Sequence, residues 1–445
     1  MAIHLILLPL PYNSQDVIFW LFFLIKRRVS MSCTSCTTCT IEDRKCAFNT
    51  FKDKYAQTNE FQYNFVDHAH PEVIMLGLTN RCNLSCTYCF VNQNPLDMTF
   101  QIAEDSIKWL QSNYKIKNLD RKMSVNFFGG EPLLLYDEII RPLVLKYQDE
   151  ISFGITTNGI LLDEDKVDFF FQHNIQPLLS FDGVPEVQNC QRISHTCNSF
   201  KTVLNNIPYL LLRFPQTVMR STVTKESIPH MYDSVLMAQE LGFKKIVFCP
   251  NAYEDWDKET ELELYEQLNK IGLHIYKGLR NQEFDTIMVD PLNVRFSDIN
   301  KALTEDLYFN NSVNRCGLGT TTCAITPTGD IVPCQEKISN PTIILGNVYD
   351  GINQQIHQDY LTDYYTKVNN LECDKGCDNR SKLICLSDIC PSRLEDLDYT
   401  FSTSQCAFIR MSTKVAGHLH LLCSGSIFPH IREFFGEEDL LNETN

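Results

Sequence analysis

Apolar and polar positions follow two rhythms along this chain. Short apolar runs, rich in β-branched residues, occur at Val73 to Thr79, Ser124 to Phe128, Ile151 to Thr156, Pro177 to Phe181, Thr217 to Val223 and Lys245 to Cys249. Each reads as a buried strand. Between them, helical patterns fall near Ala103 to Ser112, Tyr136 to Tyr147, Glu164 to Gln172, Phe200 to Leu212 and Pro229 to Leu241. These are long enough to serve as crossovers between parallel strands. Repeating βα units predict an α/β fold, a parallel sheet with helices outside. Periodicity alone does not separate an open sheet from a barrel. Beyond Leu292 the pattern loses regularity, and Cys316 to Cys334 reads as a β-hairpin turning at Thr328-Gly329-Asp330 with thiols at its ends.

A chain of 445 residues is long enough for two or three domains. A net charge of -16 argues against a long phosphate-neutralising surface, so no nucleic-acid partner is expected. Nineteen cysteines come in clumps, which favours metal and a reducing compartment over a disulfide framework. Near the start, Val17 to Ile25 is apolar, but its nine residues fall short of a spanning helix of about twenty. Lys26, Arg27 and Arg28 follow that run, whereas a secretory signal carries its positive charge ahead of it. Residues 1–30 are therefore read as an extension without a folding role, membrane attachment is not expected, and the protein is read as cytoplasmic. The segment 31–70 carries Cys33, Cys36, Cys39 and Cys46 in a polar setting that a flexible arm explains as well as a metal does.

The most specific chemistry follows the first strand, where Cys82, Cys86 and Cys89 form a C-x3-C-x2-C array. A 4Fe-4S cluster usually takes four thiolates, so three leave one iron with an open coordination position. Structural zinc normally closes with four ligands and paired C-x2-4-C knuckles. With Tyr88 at the aromatic position of C-x3-C-x-aromatic-C, the stretch resembles the radical S-adenosylmethionine (SAM) superfamily. The resemblance implies that SAM chelates the open iron, and that an electron from the cluster cleaves it to methionine and a 5'-deoxyadenosyl radical. It also implies a partial (β/α)6 TIM-like barrel over residues 71–300, with the active site at the C-terminal ends of the strands.

Other motifs fall at those ends. Gly129-Gly130-Glu131-Pro132 follows the second strand, its glycines permitting close backbone approach and Glu131 offering a carboxylate to an ammonium. The resemblance makes this the place that receives the SAM amino group. Thr157-Asn158-Gly159, after the third strand, also resembles a family element, the alternative being an ordinary Asn-Gly turn without a ligand. Ser180-Phe181-Asp182-Gly183 follows the fourth, with Arg192 beyond it. By similarity to SPASM-type radical SAM maturases, Ser180 and Arg192 contact SAM, while Asn251 sits where the family's backbone receives adenine.

The second cysteine constellation comprises Cys316, Cys323, Cys334, Cys373, Cys377, Cys385, Cys390 and Cys406, enough for two fully coordinated clusters. It resembles the SPASM extension, here residues 310–410, followed by a helical appendix at 411–445. Carried over in order, Cys316, Cys323, Cys334 and Cys390 bind one auxiliary cluster and Cys373, Cys377, Cys385 and Cys406 the other. The family's run is C-x2-C-x5-C-x3-C, whereas here the gaps are three, seven and four residues, which bears on ligand assignment more than on cluster presence. A structural zinc module is the alternative for this region. Cys190, Cys197, Cys249 and Cys423 stand apart and read as small buried residues.

The expected activity is radical modification of a peptide or protein, of the thioether-forming or another ribosomal-peptide maturase type, with a flavodoxin or ferredoxin as electron donor. Peptide modification comes from the resemblance, not from a recognisable peptide groove. Anaerobic sulfatase maturases, which generate formylglycine, share Cys-Ala-Ile-Thr-Pro-x-Gly-Asp with residues 323 to 330. They are expected to carry an aspartate base after the cysteine equivalent to Cys334. Gln335, an amide, stands there, with Glu336 adjacent. A small-molecule radical SAM enzyme and a catalytically silent iron-sulfur or zinc scaffold are the remaining alternatives.

Overall fold

The structure is a computed structural model that describes residues 71–114, 122–281, 286–297, 316–371 and 389–424. The segments 1–30 and 31–70, with Cys33, Cys36, Cys39 and Cys46, lie outside the described residues, as do Cys373, Cys377 and Cys385.

The six strand expectations hold to within about a residue at each end. They appear as β1 (Val73–Thr79), β2 (Met123–Gly129), β3 (Ile151–Thr157), β4 (Gln176–Ser180), β5 (Val218–Val223) and β6 (Lys245–Pro250). All six pair in parallel in that order, and a short β7 (Met288–Asp290) continues the run beyond β6. The connecting helices are α1 (Phe100–Tyr114), α2 (Arg141–Tyr147, entered through a π-turn at Tyr136–Ile140), α3 (Glu164–Gln172), α4 (Pro185–Gln191), α5 (Ser199–Arg213) and α6 (Met231–Glu240). Their entries are set locally. Asp163 and Asn198 cap α3 and α5 by accepting from the backbone N–H of Lys166 and Lys201.

β1 is central. All seven of its residues are buried, as expected of a strand covered on both faces. Ile74, Leu76 and Leu78 enter the main core with Phe127, Ile155, Leu179 and the inner faces of the helices, while Met75 points into a smaller cluster with Ala324, Val332 and Ile338.

The cysteine-bearing hairpin joins this same sheet. β8 (Thr322–Ile325) lies parallel to β1 on the side away from β2, and β9 (Asp330–Val332) returns antiparallel to it through a turn with Gly329 at φ +89°. β10 (Gly346–Asn347) and β11 (Gly351–Ile352) complete an eleven-stranded sheet. After α7 (Lys258–Arg280) and α8 (Gln354–Asn369) come α9 (Pro391–Asp396) and α10 (Thr403–Ser424). α10 packs on α7, where an added Cβ on Gly272 would sit 3.0 Å from Val415 Cγ1. Its Phe408, Val415 and Leu419 belong to the main core. Among the described residues, no helix is long and apolar enough to cross a membrane.

Candidate active site

Because β1 to β6 run parallel, the loops leaving their C-terminal ends gather at one edge, and the sequence motifs gather with them. The cysteine loop after β1 is closed at its base. Arg81 Nε donates to Asp97 Oδ1 at 2.9 Å, and Thr79 Oγ1 donates to the same oxygen at 2.5 Å. The Arg81 guanidinium holds the Asp97 carboxyl below the usual carboxylate range. Met98 N returns to Leu78 O at 2.7 Å, and buried Leu84 plugs the loop from inside.

Gly129 and Gly130 bring the β2 exit against the backbone of this loop. Gly130 N donates to Thr79 O at 2.7 Å and Glu131 N to Arg81 O at 3.0 Å. A Cβ on Gly130 would stand 2.2 Å from Arg81 O, and Gly129 holds φ +138° with its would-be Cβ 2.4 Å from Thr79 O. The close approach that glycine permits here is between two loops of the chain itself. Glu131 lies fully buried beneath them. Its Oε1 accepts from Leu133 N at 3.1 Å and Thr157 Oγ1 at 2.9 Å, and its Oε2 from Asn158 N at 2.8 Å, bracing the β2 and β3 exits together. Burial pushes its pKa up to about 7 against the pull of those donors.

The loop is also stitched to the β4 exit. Ser85 and Cys86 pair antiparallel with Ile193 and Arg192, and Thr87 N donates to Gln191 O at 2.9 Å. Asp182 is the centre of this seam. Its carboxylate accepts from Tyr88 OH, Gln191 Nε2 (2.9 Å), Thr222 N (3.0 Å) and Arg192 NH2 (3.0 Å), with Arg192 Nε also 3.0 Å away. The Arg192 guanidinium lies over the Tyr88 ring, 5.5 Å from its centroid. Tyr88 and Arg192 are thus brought together, with Arg192 buried and engaged by a carboxylate of the chain itself. Ser180 ends β4 nearby and is buried. Asn251 sits after β6, its N–H on Val223 O, its side chain on Glu254 and its carbonyl accepting from Ser404 of α10.

The motifs at the strand ends include Asp182 and Asn158 but give neither a role, and spacing alone does not mark Gln191. For Asp182 the signal was present: a carboxylate closing a buried strand, with an arginine ten residues on, suits an internal ion pair.

The three loop thiols feel one another's charge, and burial pushes Cys82 up to about 12 and Cys86 up to about 11. Metal binding at such thiols displaces protons. Structural zinc normally closes with four protein ligands, so a three-thiolate loop suits an iron-sulfur cube with one iron left open.

In the C-terminal region, Cys334 and Cys390 lie within electrostatic reach of each other, as do Cys390 and Cys316. Cys323 packs into the main core from β8, beside Ile325 and Ile331, and Cys406 is buried in the first turn of α10. The expectation of buried thiols fails elsewhere: Cys190 and Cys197 are exposed and Cys249 is half-buried. Between these cysteines and the loop stands the turn Gln335–Lys337. There Glu336 pairs with Arg393 at 3.5 Å, its charge reaching Cys89, Cys334 and Cys390. Lys337, fully buried, pairs with Asp396.

Comparison with known proteins agrees with this placement. The profile of the radical SAM superfamily matches residues 76–238. The chain is 26% identical over 271 residues to the cysteine-type anaerobic sulfatase-maturating enzyme of Clostridium novyi, covering 58% of this chain and 71% of that one. It is 23% identical over 284 residues to the PqqA peptide cyclase of Gluconobacter oxydans, covering 63% and 74%. Among solved structures, native anSMEcpe with bound AdoMet and the Cp18Cys peptide superposes with a TM-score of 0.60 at 17% identity, covering 82% of this chain and 98% of that one. The family implies a 4Fe-4S cluster and SAM. Residues 76–238, which carry the three thiols at the mouth of the parallel sheet, match the radical SAM superfamily, and the chain is similar to enzymes of that superfamily.

Proposed function

We propose that this enzyme modifies a peptide or protein substrate, abstracting hydrogen from a side chain or α-carbon. When bound on Cys82, Cys86 and Cys89, the cluster and SAM supply the 5'-deoxyadenosyl radical. The chain's own residues hold and orient. Gly129 and Gly130 seat the cysteine loop, Glu131 braces the loops beneath it, and Asp182 fixes Tyr88 and Arg192 beside Cys86. Ser180, Arg192 and Asn251 stand on the SAM side of this reading. Cys316, Cys334 and Cys390, with Cys323 the fourth ligand expected from the family order, would hold an auxiliary cluster, which would supply an acceptor for the electron left on the substrate. Cys373, Cys377, Cys385 and Cys406 serve a second. A flavodoxin or ferredoxin supplies the first electron.

The observation that carries the reading is the three-thiol loop sewn onto the Asp182 seam, in a chain whose relatives include a peptide cyclase. A second reading, formylglycine generation, draws on the likeness to the sulfatase maturase and on Glu336, whose buried Oε2 has no hydrogen-bond partner.

Anaerobically reconstituted protein given dithionite and SAM should release 5'-deoxyadenosine and carry about twelve irons, against about four for a single cluster. Cys334→Ala and Cys390→Ala should lose about four irons while keeping SAM cleavage. With cysteine- and serine-containing peptides, mass spectrometry separates a loss of two hydrogens on cross-linking from conversion to formylglycine. Failure to cleave SAM with all clusters loaded would refute the enzyme reading.

A further inference from the structure

Asn158 opens the turn after β3, and its amide has one orientation. Oδ1 accepts from Ile160 N at 3.0 Å, which turns Nδ2 toward the cysteine loop. There Nδ2 lies 3.7 Å from Cys82 Sγ and 2.7 Å from Asn83 Oδ1. The backbone is pinned as well, because Asn158 N donates to Glu131 Oε2 at 2.8 Å. The residue is buried and fixed at both ends. Nδ2 of Asn83, also buried, has no hydrogen-bond partner. Cys82 Sγ receives a second donor from Leu84 N at 3.4 Å, while Arg192 reaches Cys86 and Gln93 reaches Cys89. Each sulfur of the array therefore has a donor side chain.

We propose that Asn158 is a positioning residue that tunes the SAM-binding cluster: its amide, oriented by Asn83 and Ile160, donates to the Cys82 sulfur and raises the cluster's reduction potential. A hydrogen bond to a ligand sulfur offsets part of the extra negative charge of the reduced cluster, so it favours reduction. The couple takes one electron from an external low-potential reductant, and no proton leaves the amide. The inference rests on the cluster sitting on Cys82, Cys86 and Cys89, and iron content, read first, separates the two.

The test is an anaerobic redox titration followed by EPR on the signal that responds to SAM. Asn158→Asp keeps the acceptor for Ile160 N, hence the turn, but loses the donor and adds a negative charge; Asn158→Ala loses donor and acceptor without adding charge, so it isolates the amide's effect on the cluster. Both should titrate at a more negative potential than the parent with unchanged iron, and Asn83→Ala should shift the same way by less. An unchanged midpoint in fully loaded Asn158→Ala overturns the proposal. Pulsed EPR of the parent with 15N-labelled asparagine should show an amide nitrogen coupled to the reduced cluster, and its absence overturns the proposal even where both variants shed iron. A parent that loads no SAM-responsive cluster overturns the cluster reading and this one with it.

Discussion

Removing the Asp182 carboxylate tests the seam that fixes the cysteine loop. In Asp182→Ala, Arg192 stays buried without its counter-charge, and Tyr88 OH, Gln191 Nε2 and Thr222 N lose an acceptor. Breaking a buried pair from one side costs about 3–5 kcal/mol. Each stranded donor adds up to about 1–3 kcal/mol, a term reduced where water enters the gap. Gln191 Nε2 keeps Thr222 O as a second acceptor, so a total of about 4–7 kcal/mol is expected, a large fraction of a typical stability of about 5–15 kcal/mol. Deleting both charges should be cheaper than the sum of the single changes, because no lone cation remains, with a coupling of at least about 1 kcal/mol. The assay is urea unfolding under anaerobic reducing conditions, followed by fluorescence, to which buried Trp109 and Trp256 contribute. Midpoints are compared at equal slope. A cost below about 1 kcal/mol, or a strictly additive cycle, would show that the pair is not holding the seam.

Two further outcomes follow from single positions. Gly130→Ala forces a Cβ to within 2.2 Å of Arg81 O, a backbone atom that cannot swing aside. It should cost about 1–3 kcal/mol and speed iron loss to a chelator, and an unchanged loss rate would contradict the tight seating of the two loops. His420, buried on α10 with its ring 5.0 Å from that of Phe296, has its pKa lowered to about 4 by burial. Its folded value lies below the unfolded one of about 6.5, so its contribution is complete above pH 6.5 and is lost as pH falls toward 4, by roughly 3 kcal/mol in all. His420→Phe should flatten that acid limb of the unfolding curve, and an identical limb would remove His420 as its source.

The alternation of strands and helices was legible residue by residue, because each buried strand is a short apolar run and each crossover keeps helical spacing. So was the three-thiol array, since C-x3-C-x2-C is local. Tertiary structure decided which groups already have partners. Nothing in the spacing said that Glu131 would brace two loops from below, or that Asp182 would engage Arg192, because those contacts join segments that meet only once parallel strands align their exits. The same reason explains β8: its two neighbours in the sheet are β1, far off in sequence, and β9, so only folding could show that the hairpin bearing Cys323 extends the sheet that carries the cysteine loop.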